Sequence, residues 1–126
     1  MRVTIKPNKN KKGFFTVVPH GSIDSETHHG FREETEPFLV KSTKGIIMDF
    51  KDVDYISSAG LGVLFSMQKY LKSNGAKLIF CHLKPQIQKL FEIMKTLPLE
   101  HVFKSIEEAD AYLYQVMDEE INKQKK

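Results

Sequence analysis

Two adjacent serines stand where the sequence passes from a strand-like run to a helix-like pattern. The stretch YISSAGLGV, residues 55–63, contains them as Ser57 and Ser58, directly before a glycine-rich turn. A serine hydroxyl in such a place can attack a carbonyl group, cap the helix or accept a phosphoryl group. The neighbouring residues discriminate between these chemistries.

Catalysis and nucleotide binding require residues that this stretch lacks. A nucleophile elbow has the pattern G-x-S-x-G, and Ile56 occupies the position of its first glycine relative to Ser58. A P-loop needs a lysine after its glycines, which SSAGLG lacks, while KSTKG at residues 41–45 has no earlier glycine. A dinucleotide fingerprint needs a third glycine beyond Gly60 and Gly62. The sequence therefore argues against an enzyme, and we predict no catalytic residue.

Potential metal ligands are spread along the chain. His28 and His29 are adjacent, and on a helix their side chains point about a quarter-turn or more apart. Asp49, Asp52 and Asp54 alternate near the end of a strand, where they could hold Mg²⁺, but this pattern is more typical of a polar loop. We therefore predict no metal site and no cofactor.

Helix capping and phosphorylation fit the two serines better. Serine is a preferred residue at the start of a helix, where its oxygen accepts a backbone N–H. A phosphoserine carries about −1.5 to −2 charges, which the free N–H groups and dipole of a helix N-terminus stabilise. The same charge is expensive for a partner protein to bury without a counter-ion. Phosphorylation here would therefore leave the fold intact and block binding.

Composition indicates one globular domain. The chain has 126 residues, 40% hydrophobic and 28% charged, with a net charge of +3. No apolar run reaches the roughly 20 residues of a membrane span, and the N-terminus lacks a signal-peptide core, so we expect a cytoplasmic protein. The lysines of residues 6–12 and of the ending NKQKK indicate a turn and a tail rather than a nucleic-acid surface. We predict one domain over residues 1–117 and a charged tail over 118–126.

Hydrophobic periodicity predicts an α/β fold. A β-hairpin is followed by strands that alternate with helices, which is typical of a mixed, mostly parallel sheet of four to five strands with about four helices. Predicted strands are residues 2–5, 14–19, 45–50, 76–83 and 101–103. Predicted helices are residues 25–40 with a break before Pro37, residues 60–73, a segment from Pro85 to Pro98, and one after a capping box of Ser105 and Glu108. Cys81 lies in an apolar run and is predicted to be a buried small residue.

The order of these motifs resembles the STAS domain family, and in particular its stand-alone bacterial anti-sigma factor antagonists. The resemblance extends from about Val3 to Leu113 and rests on four stretches: HGSID at 20–24, GIIMDFKDVDYISSAGLGVL at 45–64, NGAKLIFCHLKPQIQKLF at 74–91 and FKSIEEADAYL at 103–113. The family pattern at the helix start is D-S-S/T-G-L-G, whose first hydroxyl residue is phosphorylated. The resemblance therefore implies that Ser58 is the phosphoacceptor, with Ser57 as the fallback, and that Ala59 occupies the second hydroxyl position.

The resemblance also implies partner switching. The unphosphorylated protein would bind an anti-sigma factor that is also a serine kinase, phosphorylation would release it, and a serine phosphatase would restore binding. The chain would be the substrate and not the enzyme. The expected partner-binding residues are Asp24, Ser22, Tyr55, Ser57, Ala59, Gly60 and Leu61.

Departures from the family pattern leave alternatives open. Ser57 replaces the usual aspartate, Pro37 interrupts the first helix, and the usual glycine after the third helix is absent. One alternative is a STAS scaffold subunit of a sensory or transport-associated complex, in which both serines only cap the helix. Another is a small enzyme or nucleotide-binding protein that uses the same loop.

Overall fold

A five-stranded sheet lies at the centre of this computed structural model, which describes residues 1–94, 102–103, 106–112 and 115. Its strands are β1 (Arg2–Pro7), β2 (Phe14–His20), β3 (Gly45–Asp49), β4 (Lys77–Cys81) and β5 (Val102–Phe103), and they follow one another across the sheet in chain order. β1 pairs antiparallel with β2, and the remaining neighbours are parallel. The predicted α/β fold, with a leading hairpin and a mostly parallel sheet, is confirmed.

Within the described residues, four helices cover the two faces of this sheet. They are α1 (His28–Thr35), α2 (Ser58–Ser73), α3 (Pro85–Met94) and α4, whose described residues are 106–112 and 115; a 3₁₀ turn, Glu36–Phe38, follows α1. Right-handed crossovers between strands that advance in one direction place α1, α2 and α3 on the same face. The fourth helix contributes Ala109 to a smaller buried cluster with residues from the opposite face of the sheet.

Strand β3 shows how the sheet is buried on both sides. All of its residues are buried, so its apolar run is continuous rather than alternating. Ile46 and Met48 join the larger core, which also contains buried residues of α1, α2 and α3, while Ile47 joins the smaller one. The Phe50, Phe80 and Phe91 rings pack together, with centroids 5.3 to 6.4 Å apart. These rings connect the end of β3, β4 and α3, and so hold α3 beside the start of α2.

Several element boundaries differ from the sequence prediction for identifiable reasons. α1 begins at His28 rather than near residue 25, because the Asp24 carboxylate accepts bonds from the N–H groups of Glu26 and Thr27 in a turn before the helix. The helix ends at Thr35, and Pro37 lies in the 3₁₀ turn, so the predicted break is confirmed and the extension to residue 40 is wrong.

Strand β4 stops earlier than the apolar run indicates. It ends at Cys81 because His82 has a left-handed backbone, with a φ of 58°. Burial of Cys81 is confirmed, and that burial raises the pKa of its thiol to about 12. The predicted end of α3 at Pro98, the capping residue Ser105 and the tail at 118–126 lie outside the described residues.

Candidate functional site at the start of helix α2

Two loops lie side by side at the carboxyl edge of the sheet and are joined through their backbones. The Gly21 N–H donates to the Asp52 carbonyl at 2.9 Å, and the Ile23 N–H donates to the Tyr55 carbonyl at 3.0 Å. In the other direction, the Ser57 N–H donates to the Ile23 carbonyl at 2.8 Å. The β2–α1 loop and the β3–α2 loop therefore continue the parallel pairing of β2 and β3 up to the first turn of α2.

Gly60 allows these loops to approach the helix. A Cβ at this position would lie 2.7 Å from the Ile23 carbonyl oxygen and 2.8 Å from side-chain carbons of Ile23 and Ile56. Ile23 and Ile56 are themselves buried and form an isolated parallel bridge. Gly62, one residue after Leu61, has no atom within 4 Å of the equivalent point. In the G-L-G motif, a side chain is therefore sterically excluded at Gly60 and not at Gly62.

Ser57 is the N-cap of α2. Its backbone is extended, with a φ of −88° and a ψ of 174°, and its hydroxyl oxygen accepts the Gly60 N–H at 3.3 Å. Its carbonyl accepts the Leu61 N–H at 2.9 Å, which begins the helical ladder. The side chain is half-buried. This hydroxyl therefore satisfies one of the N–H groups that a helix start leaves without an intrahelical partner.

Ser58 has a different environment from its neighbour. It is the first residue of α2 and is exposed. Within the part of the chain that the structure describes, its hydroxyl makes no hydrogen bond. The side chain stands at the positive end of a 16-residue helix, where added negative charge is stabilised.

Asp24 shapes the loop that faces this helix start. Its Oδ1 accepts the N–H groups of Glu26 at 2.9 Å and Thr27 at 3.0 Å. These bonds, first from Glu26 and then from Thr27, lower the pKa of the Asp24 carboxyl. The Thr27 hydroxyl in turn donates to the Ser22 carbonyl at 2.7 Å. Asp24 is therefore a half-exposed carboxylate with one oxygen engaged in holding the backbone of the loop.

An open groove of about 410 Å³ lies beside Ser58, between the starts of α2 and α3. Tyr55 is 57% exposed at this groove, whereas Leu61 is 4% exposed. The Gln86 amide donates to the Asp54 carbonyl at 3.3 Å, and the Lys84 ammonium pairs with the Asp54 carboxylate. The groove is lined by Asp54, Tyr55, Ile56, Ser57, Ser58, Leu61, Gln86, Ile87 and Leu90.

The histidines take more specific positions than the sequence indicated. His20 Nδ1 lies 2.9 Å from an Asp52 carboxylate oxygen, and its Nε2 lies 2.8 Å from the Thr4 hydroxyl. This chain of three side chains ties β1 and the end of β2 to the loop before α2. The rings of His28 and His29 have centroids 4.0 Å apart, so their predicted divergence is wrong.

Residues expected at the site occupy the two loops and the first turn of α2. Ser22, Asp24 and Ala59 are half-buried there, while Gly60 is buried and contacts the neighbouring loop. The contribution of α3, through Gln86, Ile87 and Leu90, was missed. The available signal was Pro85, which places the first turn of α3 close behind strand β4.

Comparison with known proteins agrees with this geometry. The profile of the STAS domain matches residues 6–109. The chain therefore belongs to the STAS domain family.

Its relatives include proteins named as anti-sigma factor antagonists. The chain is 31% identical over 99 residues to the "Putative anti-sigma factor antagonist BtrV" of Bordetella bronchiseptica, covering 79% of this chain and 85% of that one. It is 29% identical over 107 residues to the anti-sigma-B factor antagonist of Staphylococcus aureus, covering 85% and 98%.

Among solved structures, the anti-sigma factor antagonist SpoIIAA in its unphosphorylated form superposes with a TM-score of 0.70 at 15% identity, over 90% of this chain and 98% of that one. The phosphorylated form of this Bacillus protein gives 0.68 at 15% identity, over 87% and 99%. Among the described residues, no helix is both long and apolar enough to cross a membrane.

Proposed function

We propose that this chain is an anti-sigma factor antagonist that acts by partner switching, with Ser58 as the phosphoacceptor. The observation that carries this proposal is the difference between the two serines. Ser57 is committed to the backbone of α2, whereas the Ser58 hydroxyl is exposed and makes no hydrogen bond to a described residue. A kinase can therefore reach Ser58 without breaking the cap of the helix.

The fold can accept a phosphate at Ser58 without rearrangement. The side chain is at the helix N-terminus, so both the dipole and the nearby N–H groups favour a doubly charged phosphate. The capping bond from Gly60 belongs to Ser57 and remains in place. Phosphorylation should therefore change the surface and leave the core unchanged.

The same phosphate should weaken the binding of a protein partner. The groove beside Ser58 carries exposed Tyr55 and half-exposed Leu90, an apolar surface that a partner would have to dehydrate on binding. A phosphate at the rim of this surface would be desolvated without a counter-ion from the partner. Each 1.4 kcal/mol of that penalty weakens binding about tenfold. The same surface thus supports binding in the unphosphorylated state and release in the phosphorylated one.

The proposed partners follow from the relatives. We assign an anti-sigma factor with serine kinase activity as the binding partner, and a serine phosphatase as the enzyme that restores binding. The names of the BtrV and Staphylococcus proteins support the anti-sigma factor, and the existence of a phosphorylated form of SpoIIAA supports the modification. The chain acts as a substrate in this cycle, in the cytoplasm, through a domain spanning residues 1–117.

Site mapping on protein isolated from its native cell tests the proposal. Trypsin releases residues 52–69 as one peptide containing both serines, and fragmentation distinguishes Ser57 from Ser58. We expect a phosphatase-sensitive phosphate on Ser58 that is lost in Ser58→Ala and retained in Ser57→Ala. Phosphate found on Ser57 instead would identify Ser57, and not Ser58, as the acceptor. Absence of phosphate under every growth condition would favour a STAS scaffold in which both serines only cap α2.

A further inference from the structure

A second group of reactive side chains lies at the same edge of the sheet, on the opposite face from α2. Asp49 and Cys81 are the last residues of β3 and β4 and are directly paired in the parallel ladder. Paired residues of neighbouring strands point to the same face of a sheet. Both side chains are buried, at 4% and 0% exposure. A carboxylate and a thiol therefore lie next to each other, buried on the face of the sheet opposite α2.

His82 adds an imidazole to this pair through an unusual backbone. If β4 continued as a strand, His82 would point to the opposite face from Cys81. Its left-handed conformation, with a φ of 58°, ends the strand. The His82 Nδ1 then lies 2.9 Å from the Asp49 Oδ1, and the ring remains about one-third exposed.

The three donor atoms are close enough to share one ion. The Asp49 carboxylate oxygen, the Cys81 Sγ and a His82 ring nitrogen all lie within 4.8 Å of one another. Ligands on a tetrahedral Zn²⁺ are separated by roughly 3.3 to 3.7 Å, given metal–ligand bonds of about 2.0 to 2.3 Å. A shift of about 1 Å or less at each side chain brings the donors to that spacing. One nitrogen, one oxygen and one sulfur form a set that suits Zn²⁺ and similar cations and leaves a fourth position for water.

The charges around these donors favour a cation. The carboxylates of Asp49, Glu107 and Asp110 lie near enough to act electrostatically on the Cys81 thiol, as does one ammonium, that of Lys51. A thiolate and a carboxylate together neutralise a divalent ion. Binding forms the metal–sulfur bond and releases the thiol proton to solvent. These carboxylates come from β3 and from α4, and both elements contribute residues to the buried cluster that contains Cys81.

We propose that Asp49, Cys81 and His82 bind one divalent cation of the Zn²⁺ class. The ion would clamp the ends of β3 and β4, from which the loops to α2 and α3 depart. This inference is independent of the proposed switch at Ser58. It concerns the other face of the sheet and requires no partner protein.

Titration of the chelator-treated full chain with Co²⁺ tests this site. A thiolate ligand gives Co²⁺ an intense near-ultraviolet charge-transfer band, and Cys81 is the only cysteine in the chain. We expect this band to saturate at one ion per chain and to disappear when Zn²⁺ is added in competition. Cys81→Ser should abolish it, and His82→Asn should weaken Co²⁺ binding at least about tenfold. Asparagine is chosen because it tolerates the left-handed backbone.

The matched control is His20→Asn. It also removes an imidazole bonded to an aspartate, but that pair has no thiol beside it, so the Co²⁺ spectrum should be unchanged. Zn²⁺ should also raise the thermal midpoint of the wild type and leave that of Cys81→Ser unchanged. Absence of the band at millimolar Co²⁺ would overturn the proposal. A band of unchanged affinity in both His82→Asn and Asp49→Asn would do the same, because Cys81 would then bind without these ligands.

Discussion

The start of α2 and the ends of β3 and β4 lie at one edge of the sheet, yet they are held by different means. At the start of α2, backbone groups of two loops bond to each other, and the crowded point is a glycine. At the strand ends, the distinctive bond joins two side chains, those of His82 and Asp49, and the unusual backbone belongs to the histidine. The first region exposes a hydroxyl, whereas the second buries a thiol and a carboxylate.

This difference has a consequence for function. A surface held by its backbone keeps its shape when an exposed side chain is modified, so the proposed phosphate on Ser58 should leave the two loops paired. A cluster held by its side chains depends on the identity of each member. Substitutions that add bulk should therefore matter most at the start of α2. Substitutions that change side-chain chemistry should matter most at the ends of β3 and β4.

The largest effect is expected at Gly60. Gly60→Ala places a methyl group 2.7 Å from the Ile23 carbonyl oxygen, where the backbone cannot yield without breaking the loop pairing. We expect a loss of about 1–3 kcal/mol in the free energy of unfolding, measured by urea denaturation. Partner affinity should fall as well, since the two loops form the proposed binding surface.

Gly62→Ala is the matched control for this substitution. The added methyl group meets open space inside the same helix, and alanine is the better helix former by up to about 1 kcal/mol. We expect Gly62→Ala to be neutral or stabilising. Equal destabilisation by the two variants would show that helix propensity, and not the contact with Ile23, governs this turn.

At His82, the strain on the backbone can be measured by comparing an alanine with a glycine substitution. His82→Ala and His82→Gly both remove the imidazole from Asp49, so their difference isolates the backbone. With a φ of 58°, a residue that has a Cβ is strained by roughly 1–2 kcal/mol relative to glycine. We therefore expect the glycine variant to be more stable than the alanine variant by about 1 kcal/mol in chelator-treated samples. A more stable alanine variant would mean that the left-handed turn is lost with the histidine.

The same contrast explains which features were predictable from the sequence. The start of α2 could be placed to within two residues, at Gly60 rather than Ser58, because its signals are local: an apolar strand, two serines, and a glycine-rich turn before a helical pattern. The end of that helix at Asn74 and Gly75 was predictable for the same reason, and Gly75 has a φ of 72°. The α/β fold followed from the alternation of strands and helices.

Features that depend on strand register were not predictable. Asp49 and Cys81 are 32 positions apart, and only the pairing of β3 with β4 brings them together. The same holds for His20 with Asp52 and for Gln86 with the loop before α2. The prediction that β4 continues past Cys81 to residue 83 was wrong, because nothing in the apolar sequence indicates the left-handed turn at His82.

An effect of similar size should distinguish the two serines. Ser57→Ala removes the bond from Gly60 to the cap and should lower the free energy of unfolding by about 1 kcal/mol. Ser58→Ala removes an exposed hydroxyl that bonds to no described residue, and should change stability by no more than about 0.5 kcal/mol. Paired thermal melts check both values. A larger loss from Ser58→Ala would identify Ser58 as structurally required and weaken its role as a freely modified residue.

The smallest effect should come from Asp24, and it should depend on pH. The N–H groups of Glu26 and Thr27 favour the carboxylate and lower the pKa of Asp24 below its model-peptide value of 3.8. The stabilisation is therefore fully present above pH 3.8 and is lost as the pH falls through the lower folded-state pKa. Asp24→Asn keeps an oxygen for the two N–H groups but cannot titrate. The difference in urea midpoint between the wild type and Asp24→Asn should be constant at neutral pH and should shift against the wild type in acid. A difference that stays constant down to the acid limit would show that these bonds do not favour the charged form, and that Asp24 holds the loop by shape alone.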